Sequence, residues 1–512
     1  MRKQVIGVVL LMMGAVFACS RPGSENVIQV TATPMMLFST DTPTQPTPTP
    51  IQPTPNPARF PMEINNGVYT VQAGDTLAMI AARFGVSLEQ IIQANGIADA
   101  NQLEVGQLLQ IPSVSAVNTG TSFKIIPDSE LVYGPTTVGF DIFTYIKLKP
   151  GFLRVYSEQL GEELWSGVQI IDQVAMDYSV NPRLLLALLE YKGGWLSQPS
   201  LEAQVTIYPM NYVDPARQGM LRQVLFAANI LNEGYYGWRY RGLEATTYID
   251  GSPLVFAPDL NAGTVAVQYF FAKTSTAAQW AIDVSEQGFF QTYLSLFGDP
   301  FRAAKEPLTP PDLQQPTLTF PFAAGETWYF TGGPHGGYNT GSAWAAIDFA
   351  PPAPTDELLA TEGYCYVSDY WATAAAPGVI ARSGYGYVVL DLDYDSNEHT
   401  GWTIVYLHMA TRDIIKAGTR VNTGDNLGHP SCEGGFSTAT HLHFARRYNG
   451  EWIPVDCQFC AAGLSAPRML LSGWEVFLSD GAEYQGYMVQ QGTQDLRRAE
   501  QGREDPINHV SH

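Results

Sequence analysis

The sequence predicts a multidomain fold with three parts: a small βααβ unit near the N-terminus, a mostly α-helical middle region, and an antiparallel β-sheet domain towards the C-terminus. Three observations predict it. At 512 residues the chain is longer than one hydrophobic core normally organises. Apolar residues follow helical spacing through much of 125–305, then break into short runs separated by Gly, Pro, Asn and Asp over 315–480. Six of the eight histidines fall between His335 and His443, a clustering that asks for a chemical reason.

Residues 1–19 read as a signal peptide. Arg2 and Lys3 precede an apolar run from Val5 to Val16, too short to span a membrane. The run ends at Val16-Phe17-Ala18-Cys19, which resembles a bacterial lipobox and implies lipidation of Cys19, hence a membrane partner through a lipid anchor. No other run approaches ~18 apolar residues, so the remainder is expected outside the cytoplasm, facing the cell wall. Residues 20–62 are rich in Thr and Pro, a composition that favours an extended spacer over a core. The net charge of −21, from 28 Lys and Arg against 49 Asp and Glu, argues against a nucleic-acid partner.

Residues 67–113 carry the βααβ pattern. Tyr69-Thr70-Val71 reads as a strand, Gly74-Asp75-Thr76 as a turn that can cap the next helix, and Leu77, Ile80, Ala81 and Phe84 as that helix's apolar face. Leu88, Ile91 and Ile92 mark a second helix ending at Asn95-Gly96, and Leu108, Leu109 and Ile111 a closing strand. The segments YTVQAGDTLAMIAARFGVSLEQIIQANG and LEVGQLLQIP resemble a LysM module. The resemblance implies binding of N-acetylglucosamine-containing glycans such as peptidoglycan, at Gly74, Asp75, Thr76 and Leu77 and at Asn95, Gly96 and Ile97.

Residues 125–305 are expected to be mostly helical. Val168, Ile171, Val174 and Ala175 form one stripe, and Asn181-Pro182 starts a helix over Arg183–Lys192 that stops at Gly193-Gly194. Further helices are expected over Pro215–Asn232 and Ala262–Ala272. The stretch VNPRLLLALLEYKGGWL resembles the helix of lysozyme-like lytic transglycosylases, with Tyr191 where that family prefers Ser. That resemblance places Glu190 at the general-acid position; a purely structural helical region is the alternative.

Within 315–480, strands are expected over Gly386–Leu392, Thr403–Leu407 and His441–Arg446. On a strand, His441 and His443 point to one face and Leu442 to the other. A catalytic zinc takes about three His, Asp or Glu ligands and keeps an open position. His335 and Asp348 are available elsewhere in the domain, and Asp348 sits in an apolar run where a carboxylate is costly unless paired. The blocks GPHGGYNTGSAWAAIDFAPP, ATAAAPGVIARSGYGYVVLD, IVYLHMA and GDNLGHPSCEGGFSTATHLHF resemble the lysostaphin and β-lytic zinc metallopeptidase family. The long spacing from His335 to Asp348 is similar to the β-lytic branch; Trp344 stands where the lysostaphin branch has its histidine. The resemblance implies a Zn2+ held by His335, Asp348 and His443, with His408 and His441 as catalytic histidines beside it. It implies endopeptidase action on the stem or cross-link peptides of peptidoglycan.

His429 and His399 read as loop residues. Cys365, Cys432, Cys457 and Cys460 are expected to form disulfides in an exported protein, with three pairings open and a metal site at Cys457/Cys460 as an alternative. The polar tail, 485–512, is expected to be disordered. Two other functions compete: a non-catalytic wall-binding lipoprotein that activates another hydrolase, and a two-headed hydrolase using Glu190 as well. The bond cut, and whether the wall is the cell's own, are not written in the sequence.

Overall fold

The computed structural model describes most of residues 68–112 and residues 120–511 other than 459, 461–463, 480, 481 and 504. The signal peptide, Cys19 and the Thr/Pro tract lie outside the described residues, as does Gly74. Among the described residues no helix is long and apolar enough to cross a membrane.

In the N-terminal unit β1 (Val68–Thr70) pairs antiparallel with β2 (Leu108–Gln110), and α1 (Leu88–Asn95) lies between them in sequence. Tyr69, Leu77, Ile80, Ala81, Phe84, Ile91 and Leu109 form its core. Residues spaced three and four apart supply the helical side of that core, and alternating strand residues the other.

The middle region is helical, as expected. α2 (Gly167–Tyr178) begins in a capping box, in which the Ser166 hydroxyl and the Gln169 side chain each satisfy the other's backbone N–H. α3 (Pro182–Gly193) starts on an Asn181 cap with Pro at its first position and ends at Gly194 in the left-handed conformation. α4 (Met220–Tyr240) begins later and runs further than its sequence pattern indicated, because Pro215–Arg217 forms a separate 3-10 turn. α5 (Ala262–Thr274) is almost wholly buried and packs on α4; α6 (Phe289–Phe297) packs on α3.

Nine strands form the main C-terminal sheet. They are β3 (Trp328–His335), β4 (Ala346–Ala350), β5 (Gly378–Gly384), β6 (Tyr387–Asp391), β7 (Trp402–Leu407), β8 (Arg420–Val421), β9 (Leu442–Tyr448), β10 (Glu451–Trp452) and an edge strand at His509–Val510. The spatial order is β8-β5-β6-β7-β9-β4-β3 and then the edge strand, with β10 paired to β9; every pair is antiparallel. A second sheet joins β11 (Leu470–Leu471), β12 (Trp474–Leu478), β13 (Gly486–Gln490) and β14 (Leu496–Arg498); the edge strand of the main sheet is β15.

The C-terminal tail therefore corrects the expectation of disorder. Alternate residues of 485–512 are apolar enough to matter: Met488 and Val510 enter the core between the sheets, which a reading of overall polarity overlooks.

The two faces of the main sheet bury different partners. Ile347, Phe349, Val388, Ile404, Tyr406, Leu442 and Phe444 pack with Phe320, Trp474 and Met488. Their strand neighbours Ala346, Tyr387, Val389, Val405, Leu407 and Ala445 pack into the same core as the helical region. The helices are thus not a separate bead but the cover of one sheet face. Polar contacts cross this joint. Arg239 on α4 pairs with Glu451 of β10 at 2.8 Å, and the Tyr240 hydroxyl donates to Glu451 at 2.6 Å. Arg382 and Arg447 clasp buried Glu398; burial pushes that carboxyl up, but the two guanidinium groups outweigh it and hold it well below the usual range.

Trp452, 1% exposed, fills the joint and donates its indole N–H to the Tyr178 carbonyl. Trp452→Ala is expected to cost ~3–5 kcal/mol. Thermal unfolding followed by helical and aromatic circular dichroism should show both regions melting together at a lowered temperature.

Candidate active site

The register of two strands sets the centre of the site. Asp348 on β4 lies directly opposite His443 on β9, on the face that the helices partly cover. His335 comes from the end of β3, where the β3–β4 pairing shifts register on both sides of Gly332. That irregularity swings His335 over its neighbours. Gly332 is required by contact: a Cβ there would stand 2.3 Å from Asp348 Oδ2.

Three ligand-type atoms converge. His335 Nε2 lies 3.0 Å from His443 Nδ1, and Asp348 Oδ1 lies 3.3 Å and 3.4 Å from them. Each imidazole uses its other nitrogen on a backbone carbonyl: His335 Nδ1 donates to Gly333 at 2.8 Å, and His443 Nε2 donates to Gly337 at 2.9 Å. In the neutral rings those donations leave lone pairs facing each other and facing a buried carboxylate oxygen that has no well-formed hydrogen bond. The arrangement calls for a cation. A tetrahedral ion with bonds of ~2.0–2.1 Å holds its donors ~3.3 Å apart, which matches the observed triangle. The carbonyl acceptors also fix each ring's tautomer and tilt, as outer partners of metal-binding histidines do.

Two more imidazoles stand beside this group. His408 follows β7 in the left-handed conformation (φ 64°), which turns its ring back towards the cleft. Its Nδ1 donates to the Glu433 carbonyl at 3.0 Å. Burial, followed by the neighbouring His441 and His443, pushes its pKa down to about 3, so the ring stays neutral. His441 Nδ1 donates to the Ala439 carbonyl at 2.8 Å, and its Nε2 lies 3.6 Å from Asp348 Oδ1. The two rings are 4.5 Å apart between centroids. Both therefore keep Nε2 as a proton acceptor within one cleft of about 720 Å³.

Residues 369–455 match the model of Peptidase family M23. Over those residues the C-terminal region is similar to Peptidase family M23. Its M23 domain is a peptidase domain, and the strands that carry Asp348 and His335 join it from upstream of the matched segment. Residues 69–112 match the LysM domain model, and residues 124–311 match the model of the LasA N-terminal domain, which is what the helical region resembles. Protease LasA of Pseudomonas aeruginosa strain UCBPP-PA14 is 27% identical over 369 residues, covering 69% of this chain and 78% of that protein. The N-acetylmuramoyl-L-alanine amidase XlyA of Bacillus subtilis strain 168 is 37% identical over 76 residues, covering 15% of this chain and 25% of its own length. Among solved structures, the M23 metalloprotease pseudoalterin from deep-sea is 22% identical, covering 37% of this chain and 97% of that one, with a TM-score of 0.26.

The fold brings His335, Asp348, His408, His441 and His443 of the M23 domain into one cleft. Glu190 lies elsewhere: its Oε2 accepts from the Leu196 and Ser197 N–H groups, closing the turn after α3. In the LysM unit, Asp75 accepts from the Tyr69 hydroxyl, Asn95 bonds both backbone groups of Gln110, and Gly96 adopts φ 63°. Thr76 is exposed, Leu77 buried, and Ile97 half-buried. His399, expected as a surface loop residue, stacks on Tyr133 at 3.8 Å, and burial pushes its pKa down to about 4. His429 is buried against Trp371.

Cys365 bonds Cys432, and Cys457 bonds Cys460, which removes the alternative of a metal site there. The first bridge precedes Glu433, whose carbonyl holds His408, so it braces the loop leading to His441. Sequence reasoning missed Tyr484, which stacks on His335 at 4.4 Å, and Glu483, which accepts from Gly336 N–H at 3.0 Å. Both sit in the turn between β12 and β13, whose second strand is too short and too polar in its surroundings to be marked by sequence alone.

Gly332→Ala is expected to displace the Asp348 carboxylate and lower peptidase activity by ~10–100-fold, as loss of ligand-orienting geometry does. Hydrolysis rate beside an unchanged circular dichroism spectrum measures it.

Proposed function

We propose that the M23 domain is a zinc metalloendopeptidase that cuts the peptide part of bacterial peptidoglycan, with the LysM unit holding it to the wall glycan. The observation that carries the reading is the convergence of His335 Nε2, Asp348 Oδ1 and His443 Nδ1, flanked by two histidines with free Nε2 lone pairs. Two nitrogens and one oxygen at tetrahedral separations suit zinc. The chemistry such an ion supplies is Lewis acidity towards a carbonyl and water.

The chain's own groups perform the rest. His408 and His441 accept a proton from the attacking water at Nε2 and return it to the leaving amine. Their N–H forms then donate to the oxyanion of the tetrahedral intermediate. Tyr484 keeps the His335 ring in place by stacking on it.

The LysM match and the likeness to XlyA support peptidoglycan as the partner, and with the LasA likeness they support a place outside the cell or in its wall. The lipid anchor on Cys19 extends that reading to a membrane-tethered form. The complete donor set favours an enzyme over a non-catalytic activator. For the glycan-binding residues, the loops at Asp75 to Leu77 and Asn95 to Ile97 remain the proposed contact, with Asn95 acting through its hold on β2.

Purified protein is expected to carry about one zinc per chain and to release muropeptides from cell wall. His443→Ala should abolish both. His441→Ala or His408→Ala should keep the zinc and lose ~10²–10⁴-fold in rate. A folded wild-type protein without zinc or turnover overturns the proposal.

A further inference from the structure

One charged residue of the cleft lies near the C-terminus, beyond the family-matched segment. Arg503 is the only Lys or Arg among the described residues that line it. The chain is strongly acidic, at −21, so a cation in its cleft stands out. Arg503 arrives on the segment between β14 and β15 and is half-buried.

Its guanidinium is held by neutral groups. Nε donates to the Pro351 carbonyl at 2.9 Å, Nη2 donates to the Tyr366 hydroxyl at 2.9 Å, and the Tyr329 ring lies 5.9 Å away. Among the described residues no carboxylate pairs with it, and Nη1 has no hydrogen-bond partner. A guanidinium fixed in orientation by neutral groups, with no carboxylate partner among the described residues, is prepared for an anion.

Its position says which anion. Ala350 lines the cleft two residues beyond Asp348 on β4, and Pro351, which holds Arg503, comes next. At ~3.3 Å per residue, that is roughly 10 Å along the strand from Asp348. An extended peptide of the same rise, with its scissile carbonyl at the histidines, reaches Arg503 roughly two to three residues away.

We propose that Arg503 is a specificity-determining residue that receives a substrate carboxylate, so that the cleft prefers acidic peptides over neutral ones. The inference rests on the peptidase reading and deepens it. The carboxylate is a side-chain or a terminal one; the chemistry is shared.

The test uses the full-length protein and peptide triplets of one sequence: one with a side-chain carboxylate two to three residues from the cleaved bond, one with a terminal carboxylate there, and one with both amidated. For wild type, one acidic peptide should have a KM ~10–100-fold below that of the neutral peptide, as a hydrogen-bonded charge pair provides. R503Q should erase that preference by raising the acidic KM while leaving the neutral peptide's KM and kcat unchanged, and R503K should restore part of it. Equal losses on all peptides would mean that Arg503 only holds the C-terminal segment, and would overturn the proposal; so would an unchanged preference. Binding of the same peptides with the scissile amide reduced to an amine, measured by calorimetry, separates the two readings. Absence of hydrolysis by wild type removes the peptidase reading, whereas binding without carboxylate preference, or with a preference that R503Q keeps, removes this one.

Discussion

The cleft depends on one cross-strand pair, Asp348 opposite His443. Opposed residues of an antiparallel pair bring their Cβ atoms to ~4.5–5.5 Å, near enough for a carboxylate and an imidazole to share one ion. A slip of one residue would turn either side chain to the other face, among Phe320 and Trp474. The apolar neighbours prevent that slip. Ile347, Phe349, Leu442 and Phe444 must face the inter-sheet core, so Asp348, His441 and His443 must face the cleft. Packing on one face thereby orients chemistry on the other.

The same face is shared with the helical region, and this gives the helices a structural role. The loop that follows His335 is fastened to them: Asn339 donates to the Tyr178 hydroxyl, Gly341 N–H donates to Asn229, and Arg241 donates to the carbonyls of Gly341 and Ser342. Gly337 in that loop receives the His443 Nε2 proton and packs on Trp452. One ligand's tautomer is thus set by a loop whose far side rests on α2 and α4. On the opposite flank, the C-terminal segment supplies Tyr484, Glu483 and Arg503. The peptidase chemistry is local to one sheet, but its walls come from segments more than a hundred residues apart.

Several parts were legible because their signals are short-range. Helix α3 announced both ends through Asn181-Pro182 and Gly193-Gly194, and the cap geometry follows those residues. β6, β7 and β9 fall within a residue or two of the runs that indicated them. The five cleft residues were identified by alternation at His441-Leu442-His443 and by likeness to a family, not by spacing alone. The tail was misread because β13 to β15 are short and half-buried, so their apolar residues are too few to show a period. His399 does lie in a turn, but its contact with Tyr133 was not legible, because that partner lies 266 residues earlier.

By itself the sequence determined which side chains have the chemistry of a cation site and which face of its strand each occupies, since alternation in a strand is a covalent consequence of the backbone. Tertiary structure alone decided that His335 Nε2, Asp348 Oδ1 and His443 Nδ1 share one point in space, which carbonyls fix their tautomers, and which distant segments wall the cleft. Those facts depend on strand register and on the burial of side chains far apart in the chain. Local sequence does not encode them, because the free energy that selects them comes from a core assembled only when the whole region folds.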